Sequence, residues 1–228
     1  MKICAISDIH GKFDGLSIEP VDILFICGDI VPLRIQSNIF QSFKWFRNEF
    51  IKWCNNQPAN QIYFVGGNHD FLLEQINLDI KDSLLGTNIT ILYDEGAEYL
   101  DNQSGITYTI WGSPLCHKFG RWAFMHDDDY EREKFELMPK NVDFLITHDA
   151  PYGRNDILLQ EVPWATGEHI GNLPLAEVVK EKKPKYHFTG HLHSTDHNLV
   201  DYDGTKTACV SLLDENYETV YEPLYLEI

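Results

Sequence analysis

Five times along this chain a short apolar run, rich in β-branched residues, stops at a small polar cluster. Ile3 to Ile6 runs into Ser7-Asp8, Val21 to Cys27 into Gly28-Asp29, and Ile62 to Val65 into Gly66-Gly67-Asn68. Phe144 to Ile146 runs into Thr147-His148, and Tyr186 to Phe188 into Thr189-Gly190-His191. A strand with one wet face would alternate, so runs of this kind read as strands buried on both faces. Helical signals lie between them. Ser37 is placed to cap a helix over 38–54, whose aromatics Phe43, Phe46, Phe50 and Trp53 form a stripe that packs on a sheet. A second helix is predicted over 173–182, before Pro184. Strands alternating with helices give an α/β chain with crossover connections.

The tail changes character. Asp203-Gly204 between His197–Tyr202 and Lys206–Leu212 is a hairpin signal. With Val220–Glu227 these segments read as antiparallel strands that add to, or form, a second sheet. Residues 113–141 show no clear strand and read as an excursion over the sheet, with the acidic run 127–131 as a solvated face. The length of 228 residues suits a single domain, 1–228.

A formal net charge of −17 argues against non-specific binding to nucleic acid or to an anionic membrane. It leaves phosphate chemistry open where bound cations reverse the local sign. The five cysteines show no Cys-x-x-Cys spacing, which points to idle thiols in a reducing compartment. The first apolar run is too short for a signal-peptide core, and no apolar stretch reaches the roughly 18 residues of a membrane span. The cytoplasm is the expected location. No P-loop or dinucleotide fingerprint is present.

The polar clusters carry the chemistry. Asp8, His10, Asp29, Asn68, His148, His191 and His193 all follow predicted strands, and the carboxyl edge of an open α/β sheet is where binding sites form. Imidazole, carboxylate and amide oxygen without thiolate suit Mn, Fe or Zn. Seven ligands are too many for one ion and enough for two if one carboxylate bridges. Two ions about 3.5–4 Å apart stabilise both attacking and leaving oxygens in displacement at phosphorus.

The series Asp8-x-His10, Gly28-Asp29, Gly67-Asn68-His69-Asp70, His148 and Gly190-His191-x-His193 resembles the calcineurin-like metallophosphoesterase signature, in order and complete. The resemblance implies a four-layer α-β-β-α sandwich with two mixed central β-sheets around a bimetal centre. One metal would take Asp8, His10, Asp29 and His193. The other would take Asp29, Asn68, His148 and His191, with Asp29 bridging. Manganese is the expected metal, with iron or zinc as alternatives. Trp111-Gly112-Ser113-Pro114, Phe119 to Phe124 and Thr147 to Gly153 resemble the small metallophosphoesterase-domain branch, which includes cyclic-nucleotide phosphodiesterases; Asp149-Ala150 stands where that branch usually has Gly-Pro. The Ser/Thr protein phosphatases match less well, because Ile30-Val31-Pro32 and Asp70 replace their Arg and Glu.

The reaction implied is hydrolysis of a phosphate ester by a metal-bridging hydroxide. The substrate would be a small phosphodiester of cyclic-nucleotide type or a phosphomonoester. The histidine equivalent to His69 faces substrate in this family, as transition-state stabiliser or proton donor to the leaving alkoxide. Asp70 would either orient His69 or cap the next helix. Arg154, Arg121 and His117 are candidate substrate contacts, and Trp122 a candidate stacking platform. A phosphoprotein phosphatase, a nuclease on the same centre and a scaffold of little activity are the competing classes. The expected partner is a small phosphorylated molecule, not a membrane or long nucleic acid.

Overall fold

The computed structural model describes residues 1–75, 88–159 and 167–228. Thirteen strands are named in chain order among them. The first sheet holds β1 (Lys2–Ile6), β2 (Val21–Cys27), β3 (Ala59–Val65), β4 (Ile89–Ile91) and β13 (Leu224–Glu227), in the order β13-β1-β2-β3-β4. Its first four strands are parallel, and β13 is antiparallel to β1. The second holds β5 (Glu95–Leu100), β6 (Thr107–Ser113), β9 (Phe144–Thr147), β10 (Tyr186–Thr189), β11 (Val200–Tyr202) and β12 (Thr205–Cys209), in the order β11-β12-β10-β9-β6-β5. Its four central strands are parallel, and both edge strands are antiparallel. Two short strands, β7 (Cys116–His117) and β8 (Met125–His126), pair with each other beside the sheets.

The alternation of strand side chains sorts the core into layers. Cys4, Ile6, Leu24, Ile26, Ile62 and Phe64 face helices, packing on Phe46 and Phe50. The intervening residues Ile3, Ala5, Ile23, Phe25, Tyr63 and Val65 face the second sheet, meeting Ile110, Phe144, Ile146, Phe188 and Ala208. Phe25 is fully buried there, its ring 5.2 Å from Phe144 and 5.7 Å from Phe188. The outer face of the second sheet buries Trp111 and Leu145 under further helices. This is the four-layer sandwich with two mixed sheets, and the runs are apolar because both faces are covered.

The first long helical segment departs from expectation at its start and its middle. Asn38, not Ser37, is the cap, its side chain accepting from the Gln41 N–H. Helix α1 (Ile39–Trp45) passes into a π-helical turn (Phe46–Phe50) and then α2 (Ile51–Asn55), so the aromatic stripe is wound one residue wider than a regular helix. Helix α3 (Phe71–Gln75) follows β3. The acidic run is not a simple solvated face. Asp127 caps α4 (Asp128–Phe135), acidic residues fill its first turn, and Glu131 is fully buried beneath it. Helix α5 (Leu173–Lys182) matches its predicted span, begun by the Asn172 cap and ended by Lys183 in the left-handed region before Pro184.

In the tail, Asp203-Gly204 turns the β11–β12 hairpin onto the second sheet, while β13 crosses back to the first. Strands β4, β5 and β6 carry no counterpart in the sequence reading. Among the described residues no helix is long and apolar enough to cross a membrane.

Candidate metal centre and active site

Parallel strands end together, so the loops after β1, β2, β3, β9 and β10 meet at one edge of the sandwich, where a bridge between Ser7 and Ser211 ties the two sheets. All seven predicted ligands lie there. His193 Nε2 is 3.3 Å from Asp8 Oδ1. Asp29 Oδ2 lies 3.5 Å from His10 Nε2 and 3.4 Å from His148 Nε2, so it stands between them as a bridging carboxylate must. His148 Nε2 is also 2.9 Å from Asn68 Oδ1, and its ring is 5.2 Å from that of His191. Two carboxylate–imidazole groups have ligand atoms within 4.8 Å of one another, Asp8 with His10 and His193, and Asp8 with Asp29 and His148.

The loops are bent to achieve this. Asp8, His10, Asp29 and His191 have φ of 55°, 40°, 51° and 67°, in the left-handed region. Asp and His are among the few non-glycine residues found there, so backbone demand and ligand chemistry coincide. Backbone N–H groups of His69 and His191 donate to the carboxylates of Asp29 and Asp8, at 2.8 Å and 3.1 Å respectively. Asp70 neither orients His69 nor acts as a side-chain helix cap. Its carboxylate accepts the N–H groups of Ile30, Val31 and Gly67, latching the second loop to the third. Gly67 is required by close approach: a Cβ there would strike Asp29 Oδ1 and lie 2.7 Å from His148 Cε1.

The protonation pattern is set by burial against charge. Burial pulls His10 and His191 down to about 4, which leaves neutral imidazoles. Burial is the strongest single influence on His148 too, but the Asp29 charge and hydrogen bond, the Asp8 charge and the Cys27 carbonyl together push the ring up to about 10. His193 likewise rises to about 9 through its bond to Asp8. Burial would raise Asp8, yet the His193 hydrogen bond and charge hold it at about 2. Metal ligation needs neutral imidazoles, so an ion held by His148 and His193 would have to displace their protons. Their Nδ1 atoms pair with the carbonyls of Cys27 (2.8 Å) and Asp214 (2.9 Å), which leaves Nε2 for the metal.

The residues fit a divalent metal. Both ring nitrogens of His10 are buried without a hydrogen-bond partner, a costly state that an ion facing Asp8, Asp29 and His193 would relieve. The hard and borderline donor set agrees.

A cavity of about 420 Å³ opens over the centre, lined by the predicted ligands Asp29, Asn68, His191 and His193 and by His69. His69 Nδ1 pairs with Gln36 Oε1, and its Nε2 sits 3.9 Å from Asp29 Oδ2. The Trp122 ring is 4.7 Å from that of His69, and His117 also lines the cavity. The other two predicted contacts stand apart from this lining. Arg121 is exposed, and Arg154 is buried over the Tyr202 ring at 5.4 Å. Sequence reasoning missed Gln36, which follows no strand, and Tyr217, which arrives from the tail with φ of 60° and sets its ring 5.2 Å from both His10 and His193.

Residues 1–195 match the calcineurin-like phosphoesterase family. The chain belongs to that family. It is a phosphoester-hydrolysing enzyme with a divalent metal centre. It is 25% identical to human metallophosphoesterase domain-containing protein 1, over the whole chain and 71% of that protein. It is also 25% identical to the lariat debranching enzyme of Arabidopsis thaliana, over 93% of the chain and 60% of that protein. Among solved structures, the phosphopantetheinyl hydrolase PptH from Mycobacterium tuberculosis superposes with a TM-score of 0.53 at 15% identity, covering 92% of this chain and 88% of that one, a likeness of fold.

Proposed function

We propose that this enzyme hydrolyses small organic phosphoesters, diesters or monoesters, with two divalent ions held by Asp8, His10, Asp29 and His193 and by Asp29, Asn68, His148 and His191. The placement of Asp29 Oδ2 between His10 and His148 carries the reading. When bound, such ions supply charge that acidifies water and offsets the negative phosphoryl oxygens. Manganese suits the nitrogen and oxygen donors, with iron or zinc as substitutes. The Nδ1–H of His69 donates to Gln36 Oε1, which turns Nε2 to the ester oxygen that departs, and a second proton carried on Nε2 would pass to that oxygen. Trp122 packs its ring 4.7 Å from that of His69. A cavity of about 420 Å³ supports a small ester over a folded phosphoprotein or a long nucleic acid, and the charge of −17 acts in the same direction. The complete ligand set and His69 speak against a mere scaffold. Five buried, unpaired cysteines support a reducing, cytoplasmic setting.

The test is a panel of p-nitrophenyl monoesters and diesters with and without added manganese, alongside elemental analysis. Turnover that requires metal, with two ions per chain, is the expected result. One ion at saturation, or turnover untouched by chelation, would refute the proposal.

A further inference from the structure

His117 stands at the other end of the centre from the histidine assigned to proton transfer. His69 sets its ring 5.2 Å from that of His10, whereas the His117 ring is 6.4 Å from His191. The Nδ1 of His117 lies 2.8 Å from Asp149 Oδ2, and the His117 backbone N–H donates to the same oxygen at 2.9 Å. Asp149 is fully buried and firmly held. The Ala150 N–H donates to its Oδ1 at 2.9 Å, and Asn172 Nδ2 to its Oδ2 at 3.1 Å. Asn172 Nδ2 also donates to the buried Glu131, at 2.8 Å.

A carboxylate fixed in this way places the proton of His117 on Nδ1 and locks the ring. Its Nε2 is left on the cavity side with no partner among the described residues. The same cavity is lined by the apolar Leu158, Ile170 and Leu192 and by Phe119, whose ring is 5.4 Å from that of His117. One locked polar atom in an apolar wall fixes the orientation of a ligand. It also favours ligands that carry the matching group over analogues that lack it.

We infer that His117, positioned by Asp149, selects phosphoesters whose organic group carries a hydroxyl, which hydrogen-bonds His117 Nε2. A hydroxyl both donates and accepts, so the pairing holds in either protonation form of the ring. The inference rests on the phosphoesterase reading for its turnover arm, and a binding arm separates the two.

The manganese-loaded full chain is given two p-nitrophenyl phosphodiesters with one leaving group, the propyl and ω-hydroxypropyl esters. It is also titrated calorimetrically with propyl and ω-hydroxypropyl phosphonates. Wild type should favour the hydroxyl compounds by about 10-fold or more in kcat/KM and in Kd. His117→Asn keeps a donor for Asp149 but removes the cavity-side atom, and its preference should fall to about unity. His117→Gln returns a polar atom near the lost one and should recover most of the preference. Asp149→Asn should weaken the preference with metal content unchanged, as befits a positioning residue. Equal losses on both compounds in His117→Asn, or no preference in wild type, would overturn the inference. No turnover of either diester with the binding preference intact would overturn the diesterase part of the proposed function and support the role of His117.

Discussion

Asp8, Asp29, Asn68, His148 and His193 are buried at the ends of core strands, while Phe119, Trp122 and Tyr217 are partly exposed on the β7–β8 connection and a tail loop. Asp29, Asn68 and His193 line one cavity with Phe119, Trp122 and Tyr217, while Asp8 and His148 group with Asp29 outside that lining. The ligand cradle is held by backbone: carboxylates accept N–H groups from neighbouring loops, and glycines admit side chains where a Cβ would collide. The wall rings are held chiefly by ring contacts, Trp122 on His69 and Phe71, Phe119 on His117 and His191, and Tyr217 on His10 and His193. A cradle of this kind should tolerate almost no change, and a wall of this kind should tolerate a good deal.

The largest effect should come from Asp29→Asn. The bridging position is lost to both ions, so turnover should fall by more than about 10³-fold and elemental analysis should show metal depletion. Two retained ions with near-normal turnover would break the contrast at its strongest point. Next comes His69→Asn, which should lower kcat by roughly 10²-fold or more with both ions present. The loss should be smaller for p-nitrophenolate than for an alkoxide leaving group, and equal losses would assign His69 to charge stabilisation instead.

On the wall, Trp122→Ala should change kcat/KM by less than about 10-fold, mostly through KM, because it removes packing beside His69 and no ligand. A loss as deep as that of Asp29→Asn would abolish the distinction between cradle and wall.

The smallest effect lies behind the wall. Burial pushes the Glu131 carboxyl up to about 8, so the folded protein prefers it protonated. Such a group takes stability away as pH rises from the ordinary carboxyl range through about 8. Glu131→Gln should therefore be more stable than wild type at alkaline pH by about 1 kcal/mol or more, and little different near the ordinary carboxyl pKa. Denaturant melts at the two extremes decide it, and a gain confined to low pH would reverse the assignment.

The same contrast explains what the sequence disclosed. Strands β1, β2, β3, β9 and β10 are buried on both faces, so each is a bare apolar run with its ligands at the end. Strand β5 was illegible because it is an edge strand, Glu95–Leu100, alternating between half-buried and exposed residues, with no β-branched side chain. The acidic run is solvated at Asp127, Asp128 and Asp129, as its charge implies, and departs from that reading at Glu131. Its first turn sits at a helix N-terminus, and Glu131 turns inward to Asn172. Asp70 was placed beside His69 by adjacency, yet its partners lie across the gap to Ile30 and Val31. Gln36 and Tyr217 reach the site through tertiary packing, which no local pattern records.

The left-handed backbone at Asp8, His10, Asp29 and His191 also sets a trade-off between durability and catalysis. Each such residue costs of order 1–3 kcal/mol, a load that only the surrounding sheets keep in place. Glycine at any of these positions would relax the loop and delete a ligand in one step. Selection for heat resistance alone would thus drift toward sturdy, inert descendants, and the enzyme must be kept less stable than its own fold allows.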